Sequence, residues 1–425
     1  MRKIGLLRVA LERCSCAVGS ATVLSLGFAF GFTQSPAFAF TEQQKLVMEV
    51  WRIVNRAYLD ETFNHQNWWF VRERALKRPL NNWDDAYKEA QTILQKLDDP
   101  YTRFLPPEQY QSLQTNTSGE LLGVGLQIAK DDDNEHLRII APIVGSPAER
   151  AGLSPKDEIV AINGIPTQSF SLDEAAARMR GPAGTIVTLA VERANVEPFE
   201  VNLTRERINL NPVFSALRIE GSEGFEAKSK IGYIRLGQFN GNAVEDIREA
   251  LTNLERQEAV GYILDLRNNP GGLLQAGIEI ARLWLNDSTI VYTVNRQGIL
   301  ESFDAGNKAL TQKPLVVLVN GGTASASEIL AGALQDNHRA QLVGETTFGK
   351  GLIQSLFDLT HGSGLAVTVA KYETPDHHDI NKLGITPDRT VPTEPLTREQ
   401  FATSEDMQYQ MAIKVLMESI TQPTT

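Results

Sequence analysis

The chain has 425 residues, more than a single hydrophobic core usually organises, so we expect two or three domains. Hydrophobic residues make up 42% of it and charged residues 22%, a composition that excludes an intrinsically disordered chain. The formal net charge is −11 and no run of Lys and Arg occurs, which argues against nucleic acid as a partner.

The first 39 residues have the pattern of a secretory signal peptide. Four basic residues precede a stretch from 14 to 41 that has no charged residue, and Ala37-Phe38-Ala39 supplies a small-x-small cleavage site. We expect cleavage after Ala39; a retained N-terminal anchor is the alternative. The segment holds four of the 41 basic residues and one of the 52 acidic ones, so its removal leaves 37 against 51, a net charge of −14.

Both cysteines, Cys14 and Cys16, lie inside this segment. A mature chain would therefore contain no disulfide, no thiol nucleophile and no cysteine metal site. No group of His, Asp and Glu has metal-ligand spacing either, so we expect no metal and no cofactor. Any catalysis must come from other side chains.

Two regions that differ in the spacing of their apolar residues come next along the chain. Residues 40–117 carry apolar residues at three- and four-residue spacing, which predicts an N-terminal helical region. Within it we interpret the aromatic cluster 68–70 as core or as an interdomain contact. Residues 118–207 form short β-branched or alternating segments, which predict a small β-rich domain. One helix interrupts them, with Ser171 and Glu174 in a capping-box pattern.

From residue 208 to 397 strands and helices alternate, and the strands are continuous apolar runs. Such runs are typical of a sheet covered by helices, so we predict a layered α/β core. Residues 398–425 read as a C-terminal helix and tail. The fold class is therefore α/β and β multidomain, with the β-rich domain inserted between the helical region and the α/β core.

The segment VNGGTASASE joins a buried strand to a helix and puts Ser325 next to the helix N-terminus. The first amide groups of a helix lack intrahelical partners and lie at the positive end of its dipole, so they can stabilise a developing oxyanion. Ser325 is therefore a candidate nucleophile. The alternative is that Ser325 and Ser327 only cap the helix.

A serine hydroxyl is a poor nucleophile unless a base lies next to it. No histidine after residue 39 lies in a recognisable catalytic context; these are His65, His136, His338, His361, His377 and His378. Lys350 is the better candidate, because it lies between two glycines just after the strand that follows the Ser325 helix. Burial near a helix N-terminus disfavours a charged lysine and leaves an amine that can accept a proton. A solvated surface lysine is the alternative.

The segment GETTFGKG around Lys350 also resembles a phosphate-binding loop. However, Gly351 stands where a Ser or Thr would hold magnesium, and the lysine leads into a strand rather than a helix. These two differences argue against nucleotide binding.

Two further glycine segments complete the candidate site. In NPGG, the backbone N–H of Gly272 could form an oxyanion hole with that of Ala326; a tight strand-to-helix turn is the alternative reading. In the β-rich domain a glycine loop has free amides suited to a peptide carboxylate, beside a strand edge that could accept an added strand. This loop consists of Leu122, Gly123, Val124 and Gly125.

Together these motifs resemble the C-terminal processing peptidases, also called tail-specific proteases, along essentially the whole chain after residue 39. The resemblance implies that Ser325 is the nucleophile and Lys350 the general base. It further implies that Gln354 holds the lysine by hydrogen bonding and that Asp336 supports the site structurally. The NPGG segment resembles the oxyanion region of that family, and residues 122–125 resemble the carboxylate loop of its PDZ domain.

The aromatic-rich segment at 63–76 looks most like family members from cyanobacteria and chloroplasts. The resemblance implies a membrane-associated protein substrate, the precursor of the photosystem II reaction-centre core subunit. Its C-terminal extension would be removed in the thylakoid lumen. A general periplasmic tail-specific protease and a noncatalytic PDZ peptide-binding scaffold are the alternatives.

Overall fold

The computed structural model describes residues 40–130, 137–143, 145–221, 228–392, 396 and 400–421. The predicted signal peptide and its cleavage site lie outside these residues. Within them, none of the helices has the length and hydropathy needed to cross a membrane.

Four helices and a short strand make up the N-terminal region: α1 (Glu42–Ala57), α2 (Trp68–Leu76), α3 (Trp83–Leu94), β1 (Arg103–Leu105) and α4 (Pro107–Ser118). An asparagine caps both α2 and α3, since the side chains of Asn67 and Asn82 each accept a backbone N–H from the first turn. The apolar faces of α1 and α3 pack into one core with Leu365 and Val367 of the antiparallel sheet described below.

The aromatic cluster of α2 is only partly buried. Trp68 is 3% exposed, and the Trp51 indole N–H donates to its carbonyl at 2.8 Å. Trp69 and Phe70 are 60% and 59% exposed, so the prediction that they form a core contact is wrong for these two. Successive helical residues point about 100° apart, so only one of the three can face the core.

The described part of the β-rich region contains eight strands and two α-helices: β2 (Glu120–Gly123), β3 (Leu126–Lys130), β4 (Leu137–Pro142), α5 (Pro147–Arg150), β5 (Glu158–Ile162), β6 (Ile165–Pro166), α6 (Leu172–Met179), β7 (Ile186–Arg193), β8 (Val196–Thr204) and β9 (Glu206–Asn209). An antiparallel sheet runs in the order β3-β4-β5-β7-β8, with β6 beside β5. The capping box predicted at Ser171 and Glu174 is present at the start of α6. Strands β2 and β9, which enter and leave the region, pair with each other.

The remaining chain forms the α/β core: β10 (Val213–Glu220), β11 (Ser229–Leu236), α7 (Ala243–Arg256), β12 (Gly261–Asp265), α8 (Leu274–Arg282), β13 (Thr289–Asn295), β14 (Gly298–Asp304), β15 (Leu315–Val319), α9 (Ala326–Asp336), β16 (Gln341–Gly344), β17 (Leu352–Asp358), β18 (Gly364–Glu373), β19 (Arg389–Thr390) and α10 (Met407–Thr421). The main sheet has the order β10-β11-β12-β15-β16-β19 and is parallel except for β10. Helices α7, α8 and α9 cover one face and α10 the other, so the predicted layered α/β core is confirmed.

A second, antiparallel sheet lies beside the main one. Its order is β1-β18-β13-β14, with β17 also on β18. Strand β1 of the N-terminal region pairs with β18, with Arg103 opposite Ala366. This pairing attaches the N-terminal helices to the core, and the sequence analysis missed it because a three-residue strand shows no period.

Asp265 and Arg267 form a buried pair, and the pair extends to the C-terminal segment. The Arg267 guanidinium lies 2.6 Å from Oδ2 of Asp265 and 2.8 Å from Oδ2 of Asp406. Asp406 comes directly before α10, so this cluster fastens that helix to the carboxyl end of β12. The same end of β12 leads into the NPGG turn of the candidate site.

Candidate active site

Ser325 immediately precedes α9, at the carboxyl edge of the main sheet. Its backbone has φ 57° and ψ −119°, a conformation that non-glycine residues adopt rarely. Backbone strain of this kind persists only where surrounding contacts enforce it, and it concentrates at functional sites. The strained turn therefore supports a functional interpretation of Ser325 over a simple helix cap.

The buried carboxylate of Glu328 holds the Ser325 turn against the Lys350 loop. Its Oε2 accepts the backbone N–H of Ser325 at 2.8 Å and that of Lys350 at 2.9 Å. Its Oε1 accepts the backbone N–H of Gly349 at 2.7 Å and the Thr347 hydroxyl at 2.6 Å. One carboxyl side chain with no exposed surface thus fixes the backbones of both candidate catalytic residues.

Tyr372 on β18 makes a second link between the same two residues. Its hydroxyl lies 3.0 Å from the carbonyl oxygen of Ser325 and 2.6 Å from that of Lys350. Burial raises the pKa of this hydroxyl well above its ordinary value, and the Glu328 carboxylate adds to the effect. Tyr372 therefore stays protonated and remains a donor to these carbonyls.

The Lys350 amine is half-buried and lies over an aromatic ring. Its Nζ is 5.0 Å from the ring centre of Tyr101, and within the described chain no hydrogen bond joins Nζ to Oγ of Ser325. Burial lowers the pKa of Lys350, and Arg103 lowers it further, while Glu328 and Asp99 oppose the shift. The net result is an amine that loses its proton more readily than a lysine in water.

The NPGG turn lies directly against the Ser325 turn. A β-carbon added to Gly271 would lie 2.8 Å from Cβ of Ser325 and 3.0 Å from the nitrogen of Ala326. Gly271 and Gly272 have φ of 93° and 146°, values that glycine alone adopts readily. In the described chain neither the Gly272 N–H nor the Ala326 N–H donates a hydrogen bond, so both are available to an oxyanion.

Asn269 connects the two turns. Its carbonyl oxygen accepts the backbone N–H of Ala324 and the hydroxyl of Ser327, both at 3.0 Å. Its side chain donates to the carbonyl of Leu236 at 2.8 Å. Ser327 is thus a buried structural residue rather than a helix cap.

Gln354 and Asp336 do not touch the Lys350 amine. The Gln354 side chain donates to the Thr368 hydroxyl at 3.4 Å. Asp336 is the last residue of α9, about 16.5 Å along the helix from Ser325 at 1.5 Å per residue, and it accepts the backbone N–H of Asp376 at 3.1 Å. Both positions are compatible with support of the surrounding strands and loops.

The histidines that the structure describes have partners away from Ser325 or face solvent. His338 is exposed at the turn after α9. His361 Nδ1 lies 2.6 Å from the Tyr87 hydroxyl, and His377 Nδ1 lies 3.1 Å from Oε2 of Glu373. His136 lies outside the described residues. In the described ranges no cluster of His, Cys, Asp and Glu has the arrangement of a metal site.

The glycine loop of the β-rich region borders a small cavity between β3 and α6. Gly125 has φ 79°, and a β-carbon there would lie 2.2 Å from Cβ of Ser146, so the position requires glycine. Leu122 is exposed and does not line the cavity. The cavity of about 70 Å³ is lined by Leu121, Gly123, Val124, Gly125, Leu126, Ile128, Ala176, Met179 and Arg180.

Sequence reasoning missed the residues that fix the site. The three-residue spacing of Ser325 and Glu328 is a capping-box pattern, so Glu328 could have been singled out. Tyr372 gave no such signal, because it lies 47 residues after Ser325 and meets it only through the second sheet.

Comparison with known proteins gives two family matches. The family described as Peptidase family S41 matches residues 230–391, and the PDZ domain family matches residues 138–193. The first range includes the NPGG turn, Ser325, Lys350 and Tyr372. The second includes most of the β-rich sheet and α6.

Similar proteins match over most of their length. The carboxyl-terminal-processing protease of Synechocystis sp. is 60% identical over 381 residues, covering 89% of this chain and 88% of that protein. The chloroplastic carboxyl-terminal-processing peptidase 2 of Arabidopsis thaliana is 46% identical over 374 residues, covering 86% and 72%. A solved photosystem II D1 C-terminal processing protease is 40% identical, with a TM-score of 0.56, covering 84% of this chain and 95% of that one.

Proposed function

Because this chain belongs to peptidase family S41 and is a carboxyl-terminal-processing serine protease, we propose that Ser325 is its nucleophile and Lys350 its general base. The observation that carries the proposal is the double link through Glu328 and Tyr372, which holds these two residues together beside Gly272. A nucleophile and a base from separate segments need such a support.

In the proposed mechanism the uncharged amine of Lys350 removes the proton of the Ser325 hydroxyl as Oγ attacks the peptide carbonyl carbon. For this step the Lys350 side chain turns from the Tyr101 ring toward Ser325. The tetrahedral intermediate collapses to an acyl-enzyme, and the protonated amine gives its proton to the leaving peptide nitrogen. Lys350 then removes a proton from a water molecule as the water attacks the ester carbonyl, and it gives this proton to Oγ of Ser325 as the C–O bond breaks, which frees the shortened protein and restores both residues.

The backbone N–H groups of Gly272 and Ala326 are proposed as the oxyanion hole. Both lack other acceptors in the described chain, and both lie in turns that are fixed before the reaction. Loss of one such donor typically lowers kcat by about 100- to 1,000-fold. Gln354 and Asp336 are proposed as supports of the Lys350 strand and of the far end of α9.

We further propose that the substrate is a precursor of the photosystem II D1 subunit, processed on the exported side of the membrane, in the thylakoid lumen or periplasm. The support is the function of the solved relative, a photosystem II D1 C-terminal processing protease, together with the 60% identity to the Synechocystis protein. The predicted signal peptide at 1–39 is consistent with export. No cofactor is part of this proposal.

The domain division proposed is 40–117 for the helical region, 118–207 for the PDZ-like domain, 208–397 for the protease core and 398–425 for the C-terminal helix and tail. The glycine loop at 122–125 and the cavity beside α6 are proposed to bind the substrate's C-terminal carboxylate. Cleavage would then occur at Ser325 upstream of the bound end.

The test is incubation with a C-terminally extended peptide, followed by mass spectrometry. Ser325→Ala and Lys350→Ala should each lower the cleavage rate by more than about 1,000-fold. Lys308→Ala, an exposed lysine outside the site, is the matched control and should cleave like the wild type. Full activity in either site variant would exclude the assigned dyad, and inactivity of the wild type on every tail would favour the noncatalytic scaffold.

A further inference from the structure

A cavity of about 720 Å³ opens at the β10 edge of the main sheet, on the face that α10 covers only in part. Phe214 and Arg218 of β10 share this face with Tyr233 and Arg235 of β11, because residues two apart on a strand point the same way. Phe401 closes the side toward α10. Cavities of this size hold ligands as large as a short peptide segment.

Two arginines bring positive charge to this cavity without a carboxylate partner. Among the described residues neither Arg218 nor Arg235 makes an ion pair, and Nε of Arg218 is buried with no hydrogen-bond partner. The Arg235 guanidinium lies over the Phe401 ring, 3.9 Å from its centre. A buried unsatisfied donor is costly, so an anionic ligand at this position would be stabilised.

Three carboxylates of the described chain that lie in this part of the sheet bind other groups. Asp265 and Asp406 both bind Arg267, and Glu220 accepts the Tyr409 hydroxyl at 2.9 Å. None of these three carboxylates lines the cavity. The two lining guanidiniums therefore remain available to a ligand from outside.

Among the placed residues, the outer edge of β10 is also unpaired. In the sheet order β10 is the terminal strand, with β11 on its inner side. Phe214 and Ile219 are 54% and 66% exposed along it. An edge strand with free N–H and C=O groups can accept an extended peptide as an additional strand.

We propose that the cavity and the outer edge of β10 together bind an extended acidic segment of a polypeptide. The segment pairs with β10 through its backbone, and carboxylates at alternate positions bind Arg218 and Arg235. Its apolar atoms pack on Phe214 and Phe401. Guanidinium and carboxylate groups match in a planar, two-bond geometry, which favours this ligand over an uncharged strand.

One end of the cavity lies near the NPGG turn, which carries the proposed oxyanion hole. Gly237 lines the cavity, and two residues later the Phe239 N–H donates to the carbonyl of Gly271 at 3.0 Å. A segment bound at β10 would therefore be a second contact for a protein substrate. This substrate role rests on the proposed function, whereas the binding itself does not.

The test is isothermal titration calorimetry on the full chain carrying Ser325→Ala. The probe is an eight-residue peptide of alternating glutamate and threonine, acetylated at the N-terminus and amidated at the C-terminus. The amide excludes binding through a terminal carboxylate, as proposed for the 122–125 loop. Three comparisons accompany it: a glutamine version, a version N-methylated at alternate residues, and competition by inorganic phosphate.

The acidic peptide should bind, and both the glutamine and the N-methylated versions should bind at least about tenfold more weakly. Arg218→Gln and Arg235→Gln should each weaken binding by about ten- to a hundredfold, the loss expected for one charge-assisted contact. Arg248→Gln, on the exposed side of α7, is the matched control and should not change the affinity. Thermal unfolding checks that each variant is folded. If Arg218→Gln does not fold, the affinity of Arg235→Gln alone tests the proposal.

Three results would overturn the proposal: equal binding of the acidic and glutamine peptides, unchanged affinity in folded Arg235→Gln, or full displacement by phosphate at the peptide's own concentration. Phosphate displacement would identify a simple anion site. If Ser325→Ala retained proteolysis, the proposed function would fail, but the binding comparison on that protein would still stand.

Discussion

At the scale of single residues, the chemistry depends on whether Lys350 can act without its proton. Removal from water disfavours the ammonium form, and Arg103 adds repulsion, while Glu328 and Asp99 attract the charge. The balance lowers the pKa, so the amine loses its proton at a lower pH than a free lysine does. When Nζ lies over the face of the Tyr101 ring, a cation–π interaction stabilises the charged form of the amine.

The pH dependence of cleavage follows from this shift. The neutral amine is the active form, so kcat/KM should rise with pH through an ionisation below the ordinary lysine value of 10.5 and then level off. Lys350→Arg keeps the positive charge at all accessible pH values and should remove the rising limb together with activity. The same rising limb in an active Lys350→Ala protein would assign the ionisation to another group.

The Tyr372 hydroxyl tests whether positioning of the dyad matters. Tyr372→Phe removes the hydrogen bonds to the carbonyls of Ser325 and Lys350, so kcat should fall by about 10- to 100-fold with little change in KM. The free energy of unfolding should fall by only about 1 kcal/mol. A variant with normal kcat would show that the Glu328 contacts alone hold the site.

At the scale of elements, the site is made by two strand-to-helix turns that share Asn269. The sequence predicts these turns well, because β12 and β15 are continuous apolar runs and each is followed by glycine and a helical pattern. It predicts β17 from its alternation but not β1, whose partner on β18 lies 263 residues away at Arg103 and Ala366. Such a pairing leaves no local pattern to read.

The Arg267 cluster fixes the position of α10 and should dominate local stability. Arg267→Ala leaves the buried carboxylates of Asp265 and Asp406 without a cation, so the free energy of unfolding should fall by about 3–5 kcal/mol. Urea denaturation measures this free energy of unfolding, with Arg248→Ala as the control at an exposed arginine. A loss within the error of that control would mean that the cluster is solvated.

The same cluster predicts sensitivity to acid. Burial raises the pKa of Asp406, but hydrogen bonds from Arg267 and from two backbone N–H groups outweigh it, so the pKa is below its ordinary value. A depressed folded-state pKa contributes stability that is present above the unfolded-state value and is lost as pH falls through the folded-state value. Unfolding curves should therefore show the Arg267 contribution shrinking below about pH 4.

At the scale of the whole molecule, the β-rich region is joined to the core by β2 and β9. Gly119 ends α4 with φ 74°, and its carbonyl accepts the Asn242 side chain at 2.8 Å and the Leu210 N–H at 2.7 Å. The sequence locates this region between 118 and 207, because there the helical spacing of apolar residues gives way to short strands in which apolar and polar residues alternate. The contacts that join it to the core come from distant asparagines, which no sequence pattern marks.

The proposed capture of substrate ends by the β-rich region predicts a preference for free acids. A tailed peptide with a free carboxylate should be cleaved with a kcat/KM at least about tenfold higher than its amide, since the amide loses a charge-assisted contact. Arg180→Gln removes the cation that lines the loop cavity and should reduce this preference. Equal kcat/KM for the free-acid and the amidated peptide would show that the 122–125 loop does not bind the terminal carboxylate.

The most direct test of the account is a crystal structure of the wild-type protein with a peptide boronate bound at its active site. The account predicts a covalent bond from boron to Oγ of Ser325, with Nζ of Lys350 about 2.6–3.2 Å from that oxygen and a boronate oxygen facing the N–H groups of Gly272 and Ala326. A boronate on Ser325 with Nζ still over the Tyr101 ring, and another side chain in the position of the base, would contradict it.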